Sequence, residues 1–180
     1  MNSSPTLDEL LEEYDRALGY TDQLFIDLSA AELMWRPSQQ SSAIAWHLGH
    51  QAAVAHYMVR NLTAAEPLID PEIDSIMDSA TQEPDRGDLP DIERIRAYRA
   101  TVAERVRFRV GNIAQGNVGA PEQLGRIAAT MLTAVINHEY QHSKWIGEVR
   151  TTAHGHALPA PPTSDRLIVL DGYLFLDWQR

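Results

Sequence analysis

The sequence predicts an all-α protein: an up-down four-helix bundle followed by a short C-terminal hairpin. Two observations predict the bundle. Four long stretches place apolar residues at three-four spacing, and each is bounded by a proline, a glycine or a capping sequence. A third predicts the hairpin, because Asp171-Gly172 sits between two short apolar runs near the end of the chain.

The first helix opens on the capping box Thr6-Leu7-Asp8-Glu9. It carries Leu7, Leu10, Leu11, Tyr14, Leu18, Leu24 and Leu28 on one face, which predicts a span of about 6–28. Ser29-Ala30-Ala31-Glu32 is a second box that opens a short turn, and Pro37 with the run Ser38 to Ser42 marks a loop. The second long helix then runs from about Ser42 to Leu62 without a proline and with one glycine, Gly49. A helical glycine costs about 1 kcal/mol and so points to a close neighbour there. Residues 63–88 form a long connection, and Asp70-Pro71-Glu72 supplies an N-cap and a first-turn proline for a short helix over 71–78.

Pro90 repeats the start signal, and Ile92, Ile95, Tyr98, Val102, Val106 and Val110 carry the third long helix to the Gly111 region. After Gly116-Asn117-Val118-Gly119, Pro121 opens the fourth, whose stripe of Leu124, Ile127, Met131, Val135, His138, His142 and Trp145 extends it to about Arg150. Residues 154–165 read as a Pro/Gly/Ala-rich linker, and strands over 167–170 and 173–178 flank the hairpin turn. The expected organisation is a bundle over 1–150, with 151–180 as an appendage of the same domain.

Composition narrows the function. A net charge of −10 repels phosphate backbones and anionic lipid surfaces, so neither nucleic acid nor membrane is expected as a partner. No stretch approaches the roughly 18 apolar residues of a membrane span, and the N-terminus lacks a basic n-region, so the expected location is cytoplasmic. With no cysteine, the chain has neither a thiolate nucleophile nor a sulfur ligand, and a bound metal must rest on nitrogen and oxygen.

His138 and His142 stand four residues apart on one helical face, a spacing that brings two imidazoles to one ion. Trp46-His47-Leu48-Gly49-His50 offers two further histidines three residues apart on the second long helix, so a third ligand is at hand. Three histidines with an open position are a common catalytic zinc arrangement. His56, six residues past His50, faces elsewhere and is expected at the surface or in satellite packing. His154 and His156 fall in the linker, where solvation is the plainer expectation.

The segments Leu28-Ser29-Ala30-Ala31-Glu32-Leu33-Met34-Trp35-Arg36-Pro37, Ser42 to His50 and His138-Glu139-Tyr140-Gln141-His142 together resemble the DinB-like superfamily over about residues 6–150. That family includes bacillithiol and mycothiol transferases, a mycothiol-dependent maleylpyruvate isomerase and the N-terminal domain of ergothioneine-forming sulfoxide synthases. The resemblance maps the metal ligands onto His50, His138 and His142, leaving His47 as a neighbour for substrate, water or packing. It implies a divalent metal, zinc in most members, with nickel and iron also compatible with imidazole. It also implies a homodimer, an expectation that the apolar tail strand Tyr173-Leu174-Phe175-Leu176 supports if left uncovered.

The expected activity is metal-assisted transfer of a low-molecular-weight thiol, of mycothiol or bacillithiol type, to a small electrophile. The alternatives are a metal-dependent isomerase or hydrolase, or a metal-stabilised binding module without catalysis. Around the ligands, Trp46 and Trp145 are candidate pocket walls and Arg150 a candidate for steering an anionic thiol. Glu139 is a tempting base, yet it points about 100° away from His138, so a solvated or outer-sphere carboxylate is expected.

Overall fold

The computed structural model describes residues 5–62, 67–77 and 88–177. The elements in chain order are α1 (Leu7–Phe25), α2 (Ala30–Met34), α3 (Ile44–Leu62), α4 (Pro71–Ile76), α5 (Ile92–Ala114), α6 (Pro121–Thr152), β1 (Leu167–Leu170) and β2 (Tyr173–Leu176). Both expected capping boxes form: Thr6 accepts from the Glu9 amide and Ser29 from the Glu32 amide. Asp91, one residue past Pro90, caps α5, and Asp70 caps α4. Helix one ends at Phe25, three residues short of the expected limit, whereas helix four continues to Thr152. Trp178, at the end of the expected second strand, lies outside the described residues.

The four long helices form the expected bundle, and their cross-links give the directions. Thr21, Leu24 and Asp27 meet Ser143, Gly147 and Arg150 in order, so α1 and α6 run parallel. His47 meets His142 and Gln51 meets Glu139, so α3 opposes α6. Arg107 bonds Asp15 while Arg99 reaches Asp22, so α5 opposes α1. The order is therefore up, down, down, up, which keeps the four-helix bundle but corrects the expected up-down alternation at α5. The long connection carrying α4 returns the chain to the start of α3, and α5 descends beside α3 in the same direction. In consequence α3 packs between α5 and α6, with α2 and α4 also against it, and is buried on nearly every side.

Gly49 has the close neighbour its sequence position implies. A Cβ there would stand 2.6 Å from Met77 Cε, at the end of α4, and Met77 is itself fully buried. Alanine would gain about 1 kcal/mol of helix propensity. It would lose about 1–3 kcal/mol by forcing Met77 out of its packing. Gly49→Ala should therefore lower the unfolding free energy by about 1 kcal/mol in urea titration; a gain would mean that Met77 gives way freely.

The segment after α6 is largely exposed but is anchored to the bundle at several points, which corrects the expectation of a flexible linker. Arg150 Nε donates to the Ala157 carbonyl at 2.8 Å, Leu158 lies over Gly147, and His156 Nε2 bonds Glu32 Oε1 at 2.8 Å. The expected hairpin forms, with Leu167 opposite Leu176 and Leu170 opposite Tyr173. Positive φ at Asp171 and Gly172 (51° and 83°) is what a type I′ turn requires. The hairpin lies on α6: Leu176 is buried, Leu167 and Leu174 join the core, and the Leu176 N–H donates to Asn137 Oδ1 at 2.7 Å. The bundle thus covers one face of the tail strand itself. Among the described residues no helix is long and apolar enough to cross a membrane.

Candidate metal centre

α3 and α6 cross where their histidines face each other, and a short lock fixes the register. Gln51, next to His50, donates through Nε2 to the Glu139 carbonyl, next to His138, at 2.9 Å. One ligand atom each from His50, His138 and His142 then lie within 4.8 Å of one another, a group that can hold a metal ion. The ring centroids are 4.4 Å apart for His138 and His142, 4.9 Å for His50 and His142, and 5.1 Å for His50 and His138.

The outer hydrogen bonds orient two of the rings. His50 Nδ1 is 3.0 Å from the Met77 carbonyl, which can only accept, so Nδ1 carries the proton and Nε2 keeps its lone pair for the centre. His142 Nδ1 is 2.8 Å from His47 Nδ1. For His142 to offer Nε2 as a ligand, its Nδ1–H must donate to His47, whose own proton then sits on Nε2. His47 therefore backs His142 through a hydrogen bond. Burial pushes His138 down to about 4 and His47 down to about 3, and lowers His142 as well, with the neighbouring imidazoles adding to the effect. At neutral pH these rings hold lone pairs rather than second protons.

Aromatic packing completes the shell. Trp46 stacks on His50 at 4.5 Å and 10°, and Trp145 sets its edge against His142 at 4.8 Å and 81°. Both tryptophans thus brace imidazoles. His138, the least buried of the three, lines two cavities. One, of about 670 Å³, lies between α3 and α4 and includes Tyr57, Met58, Arg60 and Asp74; the other, of about 410 Å³, lies between α6 and the hairpin.

Other candidates sit elsewhere. Arg150 holds Asp27 through Nη2 at 2.8 Å and the Leu24 carbonyl through Nη1 at 3.0 Å, so it ties α6 to the end of α1. It stands eight residues beyond His142, about 12 Å along the helix axis. His56 is buried rather than at the surface. Its Nδ1 faces Asp74 at 3.4 Å and its Nε2 faces Arg105 at 3.3 Å, which is the satellite packing expected of it. His154 packs edge-on to Trp35 at 5.3 Å. Glu139 is not solvated: it is buried and bonds Arg99 Nη2 and Thr21 Oγ1, each at 2.6 Å, about a quarter-turn around α6 from His138.

Sequence reasoning missed the supports of the centre: Gln51, the Met77 carbonyl, and the cluster of Thr21, Arg99 and Ser143 around Glu139. The only sequence signal for the cluster was Arg99 next to Tyr98 on the apolar face of α5, a cation where the pattern wants a core residue.

An antiparallel pair of helices delivering three imidazoles to one point, inside a four-helix bundle, defines a class of bundles able to hold a metal ion on histidines. The DinB superfamily profile matches residues 13–146, and the chain belongs to that superfamily. No curated protein matched the chain.

Proposed function

We propose that this protein is a metal-dependent transferase that activates a low-molecular-weight thiol for attack on a small electrophile. The observation that carries the reading is the position of His138, a half-buried member of the imidazole triad where two cavities of ligand size meet. His50, His138 and His142 would hold the ion, and zinc suits a set of neutral nitrogen donors in a chain without cysteine. A divalent ion there lowers the pKa of a coordinating thiol, so that the nucleophilic thiolate is available at neutral pH.

The chain's own residues do the remaining work. His47 and the Met77 carbonyl hold the protons of His142 and His50 away from the centre, so both rings present lone pairs. Trp46 and Trp145 prevent those rings from turning and keep water from their faces. Arg60 and Asp74 border the larger cavity, which suits a polar thiol carrying ionised groups; the sulfur must come from outside because the chain holds no cysteine. With a haloarene as electrophile, a carbon–sulfur bond forms, halide leaves with the bonding pair, and the thiol proton passes to solvent.

Cobalt substitution tests the reading directly. Addition of mycothiol, bacillithiol, glutathione or coenzyme A to the cobalt-loaded protein should bring up sulfur-to-metal charge-transfer absorption for at least one thiol. The same thiol should support turnover of a haloarene or an epoxide only in metal-loaded protein. A loaded site that gives no such band at saturating thiol ends the thiol reading and favours isomerisation or hydrolysis at the same centre.

A further inference from the structure

The smaller cavity beside His138 is built largely by the tail, beyond the residues that the superfamily profile matches. Leu170, Tyr173 and Leu174 of the hairpin face Ala134, Asn137 and Gln141 of α6 across it. Asn137 is the informative residue. Its Oδ1 accepts the Leu176 N–H at 2.7 Å, which fixes the amide, and its Nδ2 has no protein partner among the described residues. The cavity is therefore lined by a residue that has an amide donor to offer, one position before a member of the triad, within walls that are mostly hydrocarbon. Its one charged lining residue is Asp171, at the exposed turn, which repels anions.

We propose that this cavity is the acceptor subsite: it takes a compact, uncharged, apolar molecule whose carbonyl oxygen receives a hydrogen bond from Asn137 Nδ2. The inference rests on the transferase reading in naming the occupant as the acceptor, with the charged larger cavity left to the thiol. The volume of about 410 Å³ accommodates a single aromatic ring with a short side chain and excludes a bulky conjugate. The hairpin is then a specificity element: Leu170, Tyr173 and Leu174 supply the apolar wall, and Asn137 supplies the polar contact that orients the guest.

The test is binding, without thiol and without turnover. The zinc-loaded full chain is titrated with 4-phenyl-2-butanone, an unreactive ketone, and followed by nitrogen-proton NMR. Saturable shifts are expected in the Asn137 side-chain amide and in the backbone amides of Leu170, Tyr173 and Leu174. Asn137→Asp keeps the acceptor for the Leu176 N–H but removes the donor, so the hairpin stays in place while affinity falls by at least about tenfold. Leu170→Glu, at a half-exposed wall position, should weaken binding similarly by about tenfold through lost apolar contact. Zinc content should be unchanged in both variants. Equal affinity in Asn137→Asp, no saturable binding, or shifts centred on Tyr57 and Met58 in the other cavity would each overturn the assignment. The thiol reading is judged separately: a ketone that binds here while cobalt shows no sulfur band sinks thiol transfer and leaves the subsite standing, and the reverse pattern sinks the subsite alone.

Discussion

Replacing His50, His138 or His142 by alanine is expected to lower metal affinity by about two to three orders of magnitude, since a site with two ligands left competes poorly with water. Competition against a chromophoric chelator at constant pH measures this. His47→Ala should fall between the triad and wild type, weaker by about 10–100-fold, because it removes the acceptor that orients His142 without removing a ligand. His56→Ala should leave affinity unchanged, although the loss of a buried side chain will cost stability. A larger loss for His47→Ala than for His50→Ala would move the α3 ligand by one turn and overturn the assignment. The metal-free protein should show a linked pH effect. His138 and His47 have folded values pushed below the ordinary imidazole range, so the unfolded chain binds protons first as pH falls from about 6.5. Stability contributed by these neutral rings is complete above that pH and declines through the window down to about 4 for His138 and about 3 for His47. Chemical denaturation of apo-protein across that range should show the decline, and bound metal should steepen it, because protons compete for the same nitrogens.

The bundle was legible because its information is local. Thr6 with Glu9, Ser29 with Glu32, and Asp70 before Pro71 each announce a helix start within four residues, and all three form. The four-residue spacing of His138 and His142 was legible for the same reason. Gly49 gave a correct hint of close approach without naming Met77 as the neighbour, since that contact spans a long connection. What could not be read was non-local. The parallel course of α5 beside α3 depends on how the connection returns, and no periodicity encodes it. Glu139 was expected in solvent or in the outer sphere of the centre because its phase on α6 points away from His138. The phase was right, but Arg99, forty residues upstream, waits on that side. The tail misled in the opposite way: its glycine and proline content suggested a free linker, whereas Arg150, Glu32 and Gly147 each engage a residue of it.

Arg99→Ala is expected to be among the most destabilising single changes in the protein, costing about 3–5 kcal/mol, because it strands a buried carboxylate. Arg99 and Glu139 are both nearly inaccessible, with side chains 7% and 3% exposed, so water cannot take over the solvation that the partner provided. Thr21 Oγ1 would remain as a donor to Glu139, too little to carry a full charge in the bundle interior. Glu139→Leu alone should cost about as much for the converse reason, leaving the guanidinium, among the described residues, with the longer contact to Asp22 at 3.6 Å. The double variant Arg99→Leu with Glu139→Leu removes both charges together and should recover most of the loss, leaving it within about 1–2 kcal/mol of wild type. A double-mutant cycle in urea measures the coupling. The position of the pair makes the outcome informative for the metal centre too. Gln51 is held by the backbone carbonyl of residue 139, not by its carboxylate, so the α3–α6 register survives in the double variant. Metal affinity in that variant should therefore match wild type. If the charges are removed, the fold is retained and metal affinity still falls tenfold or more, by about 1.4 kcal/mol, then the Glu139 carboxylate supports the imidazoles directly and not only through the fold.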